Sequence, residues 1–151
     1  MTKILRPLKI AIDLSAILDK TIDNTSTDLL NYRAYKGSLG AITVLEEVFD
    51  IYLLIPENNI TDEEILRFLK AAEIDRCFRK FIRYNENVKN IILEETIHVT
   101  ITSRFSIAET AKEISRVYLI NRIQTADIQT QIQKVSQWRE IVKDLIIFST
   151  N

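Results

Sequence analysis

A carboxylate at Asp13, a lysine at Lys89 and the run Thr102-Ser103-Arg104 are the side chains of this sequence best suited to chemistry. Arg104 carries a planar fork of donors that matches an anion. Two hydroxyls precede it, and Ser106-Ile-Ala-Glu109 follows as a capping-box pattern that opens a helix. A helix N-terminus beside a guanidinium can receive a phosphate or a carboxylate. Ser103, Arg104 and Lys89 are therefore candidate anion-binding residues. The plainer alternative makes Arg104 a surface residue beside an ordinary cap, and Lys89 a solvated loop lysine. Asp13 can pair with Lys89, and such a pair persists because removing one partner strands the other charge. Otherwise Asp13 caps a turn at the end of a strand.

The remaining reactive types offer less. Cys77 is the single cysteine, so no internal disulfide forms, and no CxxC or Cys/His cluster offers a metal site. It reads as a partly buried small side chain. His98, within an apolar run and without a neighbouring acid, reads as a structural histidine. Arg76, Arg79, Lys80 and Arg83 interleave with Phe78, Phe81 and Tyr84, a mixture that can grip single-stranded nucleic acid. Glu73, Asp75 and Glu86 flank the stretch, which favours an edge strand guarded by its charges. The totals agree: 20 Lys and Arg against 21 Asp and Glu leave −1, too little field to gather nucleic acid or an anionic membrane.

These residues need elements to hold them. Leu8–Leu14 is an apolar run that suits a buried parallel strand with Asp13 near its carboxyl end. A polar loop spans Asp19–Asp28, a short helix Leu29–Tyr35, a turn Lys36–Gly40 and a helix Ala41–Phe49. Ile51–Ile55 is a second strand, stopped by Pro56. Thr61-Asp-Glu-Glu64 caps a helix that runs to about Glu73. Arg79–Tyr84 is a third strand, Ile91–Leu93 a short strand or loop, Ile97–Thr102 a fourth strand and Arg116–Ile120 a fifth. From about Asp127, apolar residues recur at spacings of three and four through Trp138 and Leu145, an amphipathic terminal helix with a break near Ser136. Trp138 is expected to pack that helix onto the sheet.

Strands alternating with helices predict an α/β domain over residues 1–151, a three-layer sandwich around a mostly parallel, Rossmann-like sheet of five strands. Ligands of such sheets bind beyond the carboxyl ends of the strands. That rim would carry Asp13, Pro56, Lys89, Thr102, Ser103 and Arg104.

Three stretches carry a family resemblance: Ile10-Ala-Ile-Asp13-Leu-Ser15, the segment Gly40–Leu54, and Thr100–Arg104 with Arg116–Arg122 and Val135–Ile141. Their order resembles the haloacid dehalogenase superfamily with little or no cap domain, and most closely its deoxyribonucleotidase-type phosphatases. The resemblance implies an aspartate nucleophile that forms an aspartyl-phosphate and a second acid two residues on. It also implies Mg²⁺ held partly by an acid after strand four, and a lysine on the phosphoryl group. On that pattern Asp13 matches the nucleophile and Lys89 the lysine. Ser15 stands where the general acid belongs, and losing such an acid typically costs ~10²–10⁴ in rate. Thr102-Ser103 stands where the metal-binding acids belong.

The resemblance with these departures implies a pseudoenzyme: no metal, no cofactor, and a protein partner or a sensed ligand in place of a substrate. The alternative is a divergent phosphatase or nucleotidase with Asp13 as nucleophile and Mg²⁺ gathered by other acids, Glu57, Glu94 or Glu95. Ile12–Leu18 also resembles the opening strand of PIN-domain nucleases, with Glu46 or Glu47 as a second acid. A cytoplasmic protein without a membrane span is expected, with a homo-oligomer as one form of protein partnership.

Overall fold

The computed structural model describes residues 8–19, 32–57, 60–120 and 132–150. Among these residues six strands form one sheet: β1 (Lys9–Asp13), β2 (Asp50–Pro56), β3 (Lys80–Tyr84), β4 (Val99–Thr102), β5 (Arg116–Ile120) and β6 (Ile132–Val135). Their order is β3-β2-β1-β4-β5-β6, and every pairing is parallel. Helices α1 (Leu14–Ile17), α2 (Ser38–Glu46), α3 (Asp62–Ala71), α4 (Val88–Glu95), α5 (Phe105–Ala111) and α6 (Trp138–Thr150) complete the described elements, with a 3₁₀ turn at Asp75–Cys77.

The pleat sorts the strand residues to two faces. Ile10, Ile12, Ile51, Leu53, Ile101 and Ile120 join a core with residues of α2, α3 and α6. Ala11, Leu54, Val117 and Leu119 point the other way, against Val88 and Ile92 of α4 and Ile107 and Ala108 of α5. A sheet covered on both faces explains why its strands read as unbroken apolar runs rather than as alternating ones. Each fully buried Ile or Leu contributes about 1.5–3 kcal/mol relative to exposure.

The structure corrects the sequence reading in four places. The sheet has a sixth strand: Ile132–Val135 pairs with β5, from Val117↔Ile132 to Ile120↔Val135, instead of starting the terminal helix. The expected break at Ser136 is the join between β6 and α6; residues 127–131 of that expected helix lie outside the described residues. Ile91–Leu93 is inside α4, with Ile91 and Ile92 packed inward. The capping box at Ser106 does not form, because α5 begins at Phe105 after Arg104 with no side-chain cap. Of the expected Leu29–Tyr35 helix, the described part is extended: Ala34 bridges Leu18, and Tyr35 N–H donates to the Ile17 carbonyl at 2.5 Å.

The box at Thr61 does form. Thr61 Oγ1 accepts from Glu64 N–H at 3.1 Å, and Glu64 Oε1 accepts from Thr61 N–H at 3.1 Å. Thr61→Ala is expected to lower stability by about 1 kcal/mol, read as a lower urea midpoint at unchanged slope.

Candidate functional site

Strand order reverses between β1 and β4, since β1 continues to β2 on one side and the chain later crosses to β4 on the other. Open α/β sheets bind ligands at the carboxyl ends of strands beside such a switch point. Asp13 ends β1 there and Thr102 ends β4, with Ile12 opposite Ile101 in register. Tyr84 ends β3 two strands away, opposite Pro56. Its long side chain reaches back across β2.

Asp13 is fully buried. Its Oδ1 accepts from Tyr84 Oη at 2.6 Å, and its Oδ2 accepts from Thr102 Oγ1 at 2.9 Å and from Ser15 Oγ. Each of those hydroxyls is itself an acceptor from the Ser103–Arg104 segment. Ser103 N–H donates to Ser15 Oγ at 3.3 Å, Arg104 N–H to Thr102 Oγ1 at 3.0 Å, and the Arg104 guanidinium to Tyr84 Oη at 3.0 Å. A hydroxyl has one proton. Here all three protons point at Asp13, and the lone pairs are turned toward residues 103–104. Ser103 Oγ closes the ring by donating to the Ser15 carbonyl at 3.0 Å.

Burial pushes the Asp13 carboxyl above its ordinary value; the hydroxyl donors and the Arg104 charge pull it down without cancelling that effect. Burial, reinforced by the Asp13 charge and its hydrogen bond, holds the Tyr84 phenol far above its usual range. Tyr84 therefore keeps its proton and stays a donor.

The structure brings Asp13, Ser15, Ser103 and Arg104 together and leaves Lys89 outside. Lys89 is exposed in the first turn of α4. The cation beside Asp13 is Arg104, not Lys89. Tyr84 was missed by the sequence reading, which placed it on a charged edge strand. That placement is right, since β3 is an edge strand whose Lys80 and Arg83 pair with Glu95 and Asp62, with Arg79 just before it paired to Asp50. Nothing in a single strand announces that its last side chain crosses a neighbour. His98 is structural: its Nδ1 accepts from Lys9 N–H at 3.0 Å. Cys77 is half-buried, and burial pushes its thiol up.

Mg²⁺ favours carboxylate oxygens in an octahedron completed by water. Around Asp13 stand neutral hydroxyls, and the Ser15 carbonyl is engaged by Ser103. Among the described residues no group of three His, Cys, Asp or Glu side chains is placed to hold a metal. The donor set does not fit Mg²⁺. Glu95 pairs with Lys80 and its carbonyl accepts from Lys9 Nζ at 3.0 Å, which puts it at the amino ends of β1 and β3, across the sheet from Asp13. Glu46 ends α2 just before β2 begins, again at the amino edge. Glu57 is nearer: it lines a cleft of about 310 Å³ with Pro56, Tyr84, Arg104 and Ser106.

Solved structures place this arrangement among known folds. A protein from Listeria monocytogenes serotype 4b, described as uncharacterized, superposes with a TM-score of 0.69 at 14% identity, over 95% of this chain and 99% of that one. A haloacid-dehalogenase-like family hydrolase from Xanthomonas campestris gives 0.60 at 9% identity, over 77% of this chain and 55% of the other. A protein from Burkholderia xenovorans described as a haloacid-dehalogenase-like hydrolase gives 0.53 at 13% identity, over 74% and 57%. The chain thus spans a little over half the length of either hydrolase. No protein-family model matches the chain, and no curated protein matches it. The fold is a haloacid-dehalogenase-like α/β sandwich. No helix among the described residues is long and apolar enough to cross a membrane.

Proposed function

We propose that this chain is a non-catalytic relative of the haloacid-dehalogenase-like hydrolases, kept as a cytoplasmic module that meets a protein partner or senses a ligand. One observation carries the reading: Asp13 is buried and both its oxygens are engaged by hydroxyls that are themselves held by residues 103–104. A nucleophile must reach phosphorus in line and needs its charge offset by a metal. Asp13 is occupied by its neighbours, and the alcohols around it are poor ligands for a hard dication.

The other reading is a divergent phosphatase or nucleotidase, favoured by the hydrolase neighbours and by Glu57 in the adjoining cleft. Calorimetry with Mg²⁺, alongside turnover of p-nitrophenyl phosphate, separates the two. We expect no saturable Mg²⁺ heat and no turnover above that of the Asp13→Asn variant. Mg²⁺ binding together with turnover that Asp13→Asn abolishes would make the chain an enzyme.

A further inference from the structure

A second cavity, of about 670 Å³, shares no lining residue with the hydroxyl ring and lies where the residues after α1, those just before α2 and the start of α6 meet; Asp19, Tyr35, Lys36, Gly37, Trp138 and Arg139 line it. Its size is that of a metabolite site. Three features of its wall bear on what it would hold. Asp19 Oδ1 is buried and has no hydrogen-bond partner. A buried acceptor without a donor typically costs about 1–3 kcal/mol, and a carboxylate swings about χ2 readily enough to offer that oxygen to an incoming group. Lys36 and Arg139 are exposed, and no hydrogen bond or ion pair of either side chain occurs with the described residues. The first amides at the α6 end do not serve an anion, because Glu140 Oε2 already accepts from Ser136 N–H at 3.1 Å and from Gln137 N–H at 2.9 Å.

We propose that this cavity is a binding site for a small zwitterion, an ammonium or similar donor meeting Asp19 and an acid group meeting Lys36 and Arg139. The charges select this class. An anion alone leaves the Asp19 oxygen unsatisfied, and a cation alone is opposed by two positive side chains. Gly37 in the wall has a left-handed φ of 84°, a conformation that side chains rarely adopt, so the wall carries no side chain at that point. The site stands independently of the reading of Asp13.

Trp138 is the only tryptophan, and it lies in the cavity wall, so its fluorescence reports occupancy. Titration uses the full chain with ω-amino acids from glycine to 6-aminohexanoate, and with acetate and butylammonium as single-charge controls. The chain-length series finds the spacing between the two charge centres. We expect one member to change the Trp138 emission saturably and to bind at least about tenfold tighter than either control, a difference of about 1.4 kcal/mol. Asp19→Asn, and separately Arg139→Gln at an exposed position, should each weaken it about tenfold while leaving the emission of the free protein native. Equal binding of acetate and the best amino acid overturns the proposal, as does no saturable change with any member. Unaltered affinity in both variants overturns it too.

Discussion

Replacing Asp13 by asparagine is expected to destabilise the protein by about 1–3 kcal/mol, and replacing it by alanine by about 3–5 kcal/mol. In alanine, the hydroxyls of Ser15, Tyr84 and Thr102 all lose the acceptor of their protons inside a dry site. In asparagine, one carbonyl oxygen remains for three donors, and the amide N–H groups face hydroxyls whose protons point at them. The sign discriminates between functions. Catalytic groups in working sites are commonly held at a cost to stability, so their removal is often neutral or stabilising. A structural hub behaves oppositely. Urea midpoints at constant slope measure the change, and an asparagine variant as stable as its parent removes the argument for a sealed Asp13.

The same pair of proteins carries a pH signature. Asp13 titrates above its ordinary value when folded, with burial the main cause. Its contribution is therefore complete below the ordinary carboxylate range and declines as pH rises through the raised folded value. The parent loses that increment with rising pH, and the asparagine variant does not. The gap between them should be widest in acid and narrow upward. Asp144 works the other way: the Tyr118 hydroxyl, then Arg116, holds its carboxyl low, so its contribution fades as pH falls. Both proteins share it, and it cancels from the difference. A gap that widens with pH contradicts the assignment.

How much of this was legible in the sequence depends on range. Asp13 at a strand end, the buried runs of β1, β2 and β5, and the cap at Thr61 follow from local pattern, and the structure has them. Ile132 and Val135 sit three apart, a spacing compatible with a helix face. The free edge of β5 decided for a strand, and Ile132 fills the core beside Val117 and Leu119. Ile91–Leu93 is apolar enough for a strand, yet Leu93 is exposed on α4. Ser15, Thr102 and Ser103 were legible as missing acids, but not as a closed ring. That ring joins Asp13 to Thr102, 89 positions away, and to Tyr84, whose role depends on strand order rather than on its neighbours in sequence.

Trp138 ties the start of α6 to the short helix that carries Ser15, and its replacement has the other large expected effect. Its indole is buried, and Nε1–H donates to the Ala16 carbonyl at 3.1 Å, inside α1 and next to Ser15. Trp138→Ala is expected to cost about 3–5 kcal/mol through lost burial and the cavity left behind. Trp138→Phe keeps most of the apolar area and loses the hydrogen bond, for about 1–2 kcal/mol. The two variants separate packing from the tether. If the tether positions α1, then Ser15 shifts when it is cut, and its bond to Asp13 weakens. Trp138→Phe and Asp13→Asn should then be non-additive, the double variant costing at least about 0.5 kcal/mol less than the sum of the singles. Additive losses would show that Trp138 supports the sandwich without holding the ring, and equal losses for Phe and Ala would show that the Ala16 bond, rather than the packing, dominates.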